Sequence, residues 1–170
     1  HAYMINKSGD TIADTTLETI TTQNIETEAK SDPSLAELAA IHEAMRQGRE
    51  FEDYVARRFT EATGKKVRRA NAMFCHESYP FMLADVDRMV VGENAGLECK
   101  TASPFMAEHW KDGKIPLSYQ IQCYHYMTVC NADAWYIAVL IYGRDFKYYR
   151  LERDESMLAD LVRIEQDFWE

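Results

Sequence analysis

The stretch AWYIAVLIYG, residues 134–143, is apolar at odd and even positions alike. Side chains alternate between the faces of a strand, so such a strand must be covered on both sides, and doubly covered sheets are flanked by helices. DFKYYRLER, which follows, alternates in character and reads as its hairpin partner through Gly143 to Asp145. Three more strands are expected upstream, over Lys66–Phe74, Met82–Val91 and Gly96–Thr101.

Helical spacing supplies the cover. Phe51, Val55, Phe59 and Ala62 form one stripe between Arg49 and Thr63, and Gly64 ends that helix as a left-handed cap would. Tyr119, Cys123, Tyr126, Met127 and Cys130 form a second stripe between Ser118 and Asn131. A terminal helix over Met157–Trp169 turns Leu158, Leu161, Ile164, Phe168 and Trp169 inward. Before these, Ser34 and Glu37 make a capping box ahead of Leu35, Leu38, Ile41 and Met45, in a helix ending near Gly48. Residues 1–33 are polar and threonine-rich, and read as an extended or partly disordered arm to a single domain over 34–170. The expected fold is an α/β sandwich around a mixed sheet of about five strands.

One hairpin carries unusual chemistry. In FMLADVDRMVVGENAGLECKT, Phe81 to Thr101, Asp85 and Asp87 share one face of the first strand, while Glu98 and Lys100 share one face of the next. If the strands pair across the Gly-Glu-Asn turn, carboxylates and ammonium converge. The same spacing suits a surface hairpin whose charges pair across strands. Two carboxylates, Asp87 and Glu98, with the carbonyl of Cys99 as a third oxygen, can hold magnesium or manganese while leaving positions to water and phosphate. Phosphodiester hydrolysis needs such an ion, an activated water and cover for the leaving alkoxide. Lys100 is placed to orient the water or to offset charge on the phosphate, and a neighbouring cation favours its losing a proton.

EAMRQGREFEDYVARRFTEATGKKVRR, YPFMLADVDRMVVGENAGLECKT and IPLSYQIQCYHYMTV resemble, in this order, the YqaJ family of phage-type recombination exonucleases. These are similar to lambda exonuclease and have the PD-(D/E)xK nuclease fold. The resemblance runs from about Glu43 to Glu170. It implies a magnesium-dependent exonuclease that digests one strand of linear duplex DNA from the 5′ end, leaving a 3′ overhang for a single-strand annealing partner. A ring-shaped homotrimer around the DNA is implied as well, with one or two metal ions per site. Carried over by position, the metal-binding carboxylates fall on Asp87 and Glu98 and the lysine on Lys100. A helical acid falls on Glu52 after Gly48, and a glutamine on Gln122 after Tyr119. Glu52 and Gln122 each lie at the edge of an apolar stripe, where a polar residue either reaches a site or is satisfied by water.

Two features depart from the family pattern. Tyr124 stands where a second glutamine often follows, and the first 38 residues hold no glycine-serine motif of the kind that helps to grip a 5′ phosphate. The departures leave two further readings, an endonuclease of the same core and a non-catalytic DNA-binding subunit.

Charge and cysteine usage bound the rest. The net charge is −9; seven acids and two bases in the first 38 residues account for −5, which leaves −4 for the remainder. Arg57, Arg58, Lys65, Lys66, Arg68 and Arg69 crowd together, interrupted only by Glu61, and form the candidate contact to the DNA backbone. Trp110, in a loop running to Pro116, either touches DNA or packs. No apolar run approaches the roughly 20 residues of a membrane span. Cys75, Cys99, Cys123 and Cys130 show no Cys-x-x-Cys pair, so free thiols in a reducing cytoplasm are expected. His76, His109 and His125 are read as structural.

Overall fold

The computed structural model describes residues 3–6, 46, 50–142 and 145–169, the first four through their backbone alone. The chain divides into two compact units, His1–Asn6 with Tyr54–Glu170, and Lys7–Asp53. The capping box at Ser34 and Glu37, the helix expected before Gly48, most of the threonine-rich arm, and the turn residues 143 and 144 lie outside the described residues. Within the arm, Tyr3–Asn6 form a strand, β1.

The elements that follow are helix α1 over 50–63, then β2 Val67–Arg69, β3 Ala72–Cys75, β4 Leu83–Asp85, β5 Arg88–Val90 and β6 Ala95–Ala102. A 3-10 helix over Pro104–Trp110 leads to α2 Leu117–Cys130, β7 Ala134–Ile141, β8 Asp145–Glu152 and α3 Glu155–Trp169. Five strands make one sheet in the order β2-β5-β6-β7-β8, and three make another in the order β1-β3-β4. Among the described residues only β6 and β7 run parallel, from Ala95 opposite Ala134 to Ala102 opposite Ile141. Their connection carries the 3-10 helix and α2, as a parallel crossover requires.

β7 is buried along nearly its whole length, the doubly covered strand its composition demands. One face of the large sheet carries Val90, Ala95, Leu97, Ala134, Tyr136 and Ala138 and packs on Val55, Ala56 and Phe59 of α1. The other carries Trp135, Ile137, Val139 and Ile141 and packs on Cys123 and Met127 of α2, Trp110 and Leu158 of α3. The buried stripe of α1 is therefore Val55, Ala56 and Phe59, with Ala62 exposed and Phe51 36% exposed. Gly64 has φ +71° and donates its amide to the Thr60 carbonyl at 2.8 Å, the left-handed cap expected.

Two strands expected to be continuous are each broken. β2 pairs with β5 in the large sheet, and β3 pairs with β4 in the small one. The hairpin thus bends across both arms, at Ala70 and Asn71 on one and at Val86 and Asp87 on the other; Asn71 has φ 36°. Burial alternates without interruption from Met82 to Val90, even residues inward, so periodicity alone shows one strand. The cores differ, however. Met82, Ala84 and Val86 belong to the α2 side, and Val90 to the α1 side. The chain changes sheets between them.

The terminal helix also differs from expectation. Asp154 Oδ1 accepts the amides of Ser156 and Met157 at 3.0 and 3.1 Å and so caps α3. Leu158 is buried, but Ile164, Phe168 and Trp169 are 58%, 89% and 68% exposed. The second half of α3 instead presents Glu165 to His125 Nδ1 at 2.8 Å, and Trp169 stacks on Phe81 with centroids 5.6 Å apart. The inward position there is taken by an acid with a partner, which an apolar stripe does not reveal.

Gly96 lies opposite Trp135, and a Cβ placed on it would overlap the indole ring at Cζ2, Cη2 and Cε2. Gly96→Ala should lower the urea midpoint by the equivalent of about 1–3 kcal/mol without changing the m-value; a wild-type midpoint would contradict the packing. All four cysteines are free, and burial pushes the Cys130 thiol up to about 12. In an unfolded chain a thiol ionises near ~8.5. Above that pH the unfolded state loses its proton first, so stability is intact below about 8.5 and falls as pH rises toward the folded value. Chemical denaturation between about pH 9 and 11 should show a shallower alkaline loss in Cys130→Ala than in wild type, by up to about 1.4 kcal/mol per pH unit. Equal slopes would contradict the burial.

Candidate active site

β5 and β6 pair antiparallel with Arg88 opposite Leu97 and Met89 opposite Gly96. Continued by one step, this register sets Asp87 opposite Glu98. The ladder stops at Arg88, where the hairpin bends, and the bend frees Asp87 from the sheet. Its Oδ2 accepts the Cys99 amide of β6 at 2.8 Å. The N–H and C=O of one strand residue leave on the same edge, so the Cys99 carbonyl is directed to the Asp87 side as well. Arg88, 4% exposed, donates from Nη1 to the Asp87 carbonyl at 2.7 Å and holds the bend from behind.

Glu98 and Lys100 share the α2 face of β6, as alternation requires. Glu98 is 3% exposed, and its Oε1 accepts Lys100 Nζ at 2.5 Å. A carboxylate this deep is stable only when paired. Burial alone would push the Lys100 ammonium down, but Glu98, and behind it Asp87, outweigh burial and hold it raised. Lys100 is the counter-ion of Glu98.

The ammonium also rests 5.0 Å from the centroid of the Tyr119 ring. Tyr119 stacks on Trp110 at 5.5 Å, and Trp110 stacks on Tyr149 at 6.0 Å. Tyr149 donates its hydroxyl to the Trp110 carbonyl at 2.6 Å, and Lys147 Nζ donates to the same oxygen at 3.1 Å. Trp110, 1% exposed, is thus a packing residue and makes no contact with an external duplex. Its work is to hold Tyr119 beneath Lys100.

Gln122 is half-buried on α2 and donates from Nε2 to the Tyr126 hydroxyl at 2.9 Å. Burial first, then Glu98, with smaller effects of Asp87 and Asp85, pushes Tyr126 up to about 12. The Tyr126 hydroxyl therefore lies in the field of the same carboxylates. The sequence shows Tyr126 only as a member of the helical stripe, one turn after Gln122. Asp85 is exposed on β4. Glu52 is half-buried on α1 within the Lys7–Asp53 unit. From Tyr54 onward α1 covers the Leu97 face of the sheet, opposite to Glu98 and Lys100.

The basic cluster does not stay together. Arg58 pairs with the Tyr54 hydroxyl at 3.1 Å, Glu61 at 3.6 Å and the Phe146 ring at 5.1 Å, while Arg57 lies 3.9 Å from Glu61. Lys65 is ion-paired to Glu93 beside the Tyr136 ring. Lys66, Arg68 and Arg69 are exposed. Arg68, on edge strand β2, lies opposite Met89, and Met89 opposite Gly96, so cross-strand neighbours place Arg68 on the same face as Glu98 and Lys100. Arg69 lies opposite Arg88 on the other face.

Among the described residues no three His, Cys, Asp or Glu side chains converge in a ready metal cage. Asp87 and Glu98 instead form a pair of hard oxygen donors beside a backbone carbonyl. That set fits a small divalent cation that keeps several of its waters, and it lacks the nitrogen and sulfur ligands of a structural zinc site. Among the described residues no helix is long and apolar enough to cross a membrane.

The YqaJ-like viral recombinase domain family matches residues 4–133 of the chain. The uncharacterized protein YqaJ of Bacillus subtilis (strain 168) is 44% identical over 129 residues, which are 75% of this chain and 40% of that protein. The chain thus spans less than half the length of that relative. Among solved structures, the alkaline exonuclease LHK-Exo of Laribacter hongkongensis matches with a TM-score of 0.66 at 21% identity, over 74% of this chain and 66% of its own. A phage-related exonuclease from Haemophilus somnus 129PT matches with a TM-score of 0.54 at 14% identity, over 70% of this chain and 65% of its own. At these identities the likeness is one of fold, and it agrees with the five-stranded mixed sheet between helices. By the match over residues 4–133 and the 44% identity to a relative, the chain belongs to the YqaJ-like viral recombinase domain family.

Proposed function

We propose that this chain is a metal-dependent deoxyribonuclease that hydrolyses phosphodiester bonds of linear duplex DNA as a 5′ to 3′ exonuclease. The observation that carries the reading is the corner where Asp87, Glu98 and Lys100 meet, built by a bend that the alternation of the hairpin does not require. Family membership and a fold shared with exonucleases support it.

Asp87, Glu98 and the Cys99 carbonyl would hold Mg2+ or Mn2+, one or two ions. When bound, the metal supplies Lewis-acid polarisation of the phosphate and lowers the pKa of water. With Glu98 turned to such an ion, the Lys100 ammonium on the same face of β6 would be available to the phosphate. There Lys100 orients the attacking water or offsets charge building on the phosphoryl oxygens. Gln122, hydrogen-bonded to Tyr126 on α2, would act from that helix. Arg68 approaches along the sheet edge and gives the phosphate backbone a cation on the reacting face, while Lys66 and Arg69 are further contacts. Arg57, Arg58 and Lys65 are held by Glu61, Tyr54, Phe146 and Glu93, away from that edge. Assembly into a homotrimer, transfer of the product strand to a single-strand annealing partner, a cytoplasmic setting and a contribution from Glu52 belong to the same proposal.

With magnesium, end-labelled 5′-phosphorylated linear duplex should lose its 5′ strand progressively while covalently closed circles survive, and Lys100→Ala should slow this by about 10²–10³-fold. Cutting of closed circles would establish an endonuclease instead, and cleavage unaffected by Lys100→Ala would remove the mechanism. Binding of duplex to Lys100→Ala, followed against salt, should lose about 0.9 from its log–log slope when Arg68→Ala is added. An unchanged slope would take Arg68 off the DNA path.

A further inference from the structure

A lysine beside a buried carboxylate needs no aromatic ring, yet Lys100 has one. Its ammonium pairs with Glu98 Oε1 at 2.5 Å and lies 5.0 Å from the centroid of the Tyr119 ring. The lysine side chain is only 20% exposed, so water weakens the contact with the ring little.

The ring is itself held from two sides. Tyr119 stands in the first turn of α2, where its amide donates to the Pro116 carbonyl at 3.0 Å and Gln120 Nε2 donates to the Ile115 carbonyl at 2.7 Å. Trp110 stacks on the Tyr119 ring with planes 23° apart, and Tyr149 stacks on Trp110 with planes 26° apart. The Tyr149 hydroxyl and Lys147 Nζ both donate to the Trp110 carbonyl and tie this pile to β8.

The two partners of the ammonium differ in kind. Glu98 neutralises it, and Glu98 is also a ligand of the proposed cation. A flexible four-carbon stem left without a second partner would spread its ammonium over many rotamers. An acid in the place of Tyr119 would hold the ammonium but compete with the phosphate for it. An aromatic face attracts the ammonium through its quadrupole and leaves its charge and N–H donors available.

We propose, resting on the nuclease reading above for its catalytic consequence, that Tyr119 is a positioning residue whose ring keeps the Lys100 ammonium on the α2 face of β6 when Glu98 is engaged elsewhere. The hold belongs to the ring and not to the phenol oxygen. It acts through Lys100 and needs no contact between Tyr119 and DNA.

Ring-current shifts read this hold directly. In nuclear magnetic resonance spectra of the full chain, the Lys100 ε-methylene protons should lie upfield of those of exposed lysines. They should stay upfield in Glu98→Gln and in Tyr119→Phe, and move to the exposed position in Tyr119→Leu. With magnesium, Tyr119→Leu should lower kcat for linear duplex about three- to tenfold with the KM for DNA unchanged, whereas Tyr119→Phe, which keeps the ring, should retain the rate. In a Lys100→Ala background Tyr119→Leu should cost nothing further, because the group it positions is gone. Lys100 protons that leave the upfield position in Glu98→Gln would overturn the proposal, and that spectrum carries the test if Tyr119→Leu fails to fold. A wild-type kcat in folded Tyr119→Leu, or equal losses in Tyr119→Phe and Tyr119→Leu, would overturn it as well. If the wild-type chain shows no Lys100-dependent cleavage, the nuclease reading fails by itself, and the Lys100 shifts in Glu98→Gln then decide alone.

Discussion

A carboxylate on the inner face of a central strand is the constraint around which the rest of this structure is arranged. Glu98 is 3% exposed on β6, between β5 and β7, where a lone charge would cost several kcal/mol. Lys100 answers it at 2.5 Å from the same face of the same strand. That solution makes a second demand, because the ammonium must itself be half-buried. Tyr119 lies under it, Trp110 lies under Tyr119, and Tyr149 closes the stack. A charge pair on one strand is thereby propped by aromatic residues from α2, the 3-10 helix and β8.

The bend of the hairpin is the second half of the design. A straight β4–β5 strand would keep Asp87 in a ladder. Passing from the small sheet to the large one at Val86 and Asp87 releases it, and the Cys99 amide and the Arg88 guanidinium take up what the ladder gave up. The backbone strain this involves is placed on the partner arm, where Asn71 adopts φ 36°, a conformation asparagine tolerates better than most residues. The site is in this sense a corner between two sheets.

Much of this was legible in the amino-acid order, for reasons that can be named. The apolar run 134–143 could be nothing but a doubly covered strand, and β7 is one. Glu98 and Lys100 had to share a face because period two admits no other arrangement. What escaped was whatever alternation does not encode. Even residues point inward on both sides of the bend at Asp87, so one strand was expected where two stand in different sheets. In the terminal helix, Glu165 faces His125 where an apolar stripe would have placed Ile164 or Phe168 inward. Six clustered bases suggested one patch, but Arg57, Arg58 and Lys65 find partners near them in space, and only the strand register singles out Arg68. Tyr126 shows the same limit. Its spacing to Gln122 is visible, whereas the acids that help to raise its pKa, Glu98 and Asp87, come from distant segments.

The proposed nuclease chemistry requires that Asp87 and Glu98 together hold a divalent cation at that corner. Titrating the chain with Mn2+ and following the free ion by electron paramagnetic resonance tests it without any DNA. Saturable binding that is lost in Asp87→Asn and in Glu98→Gln, with both variants folded, is the predicted result; equal binding by the wild-type chain and both variants would contradict it.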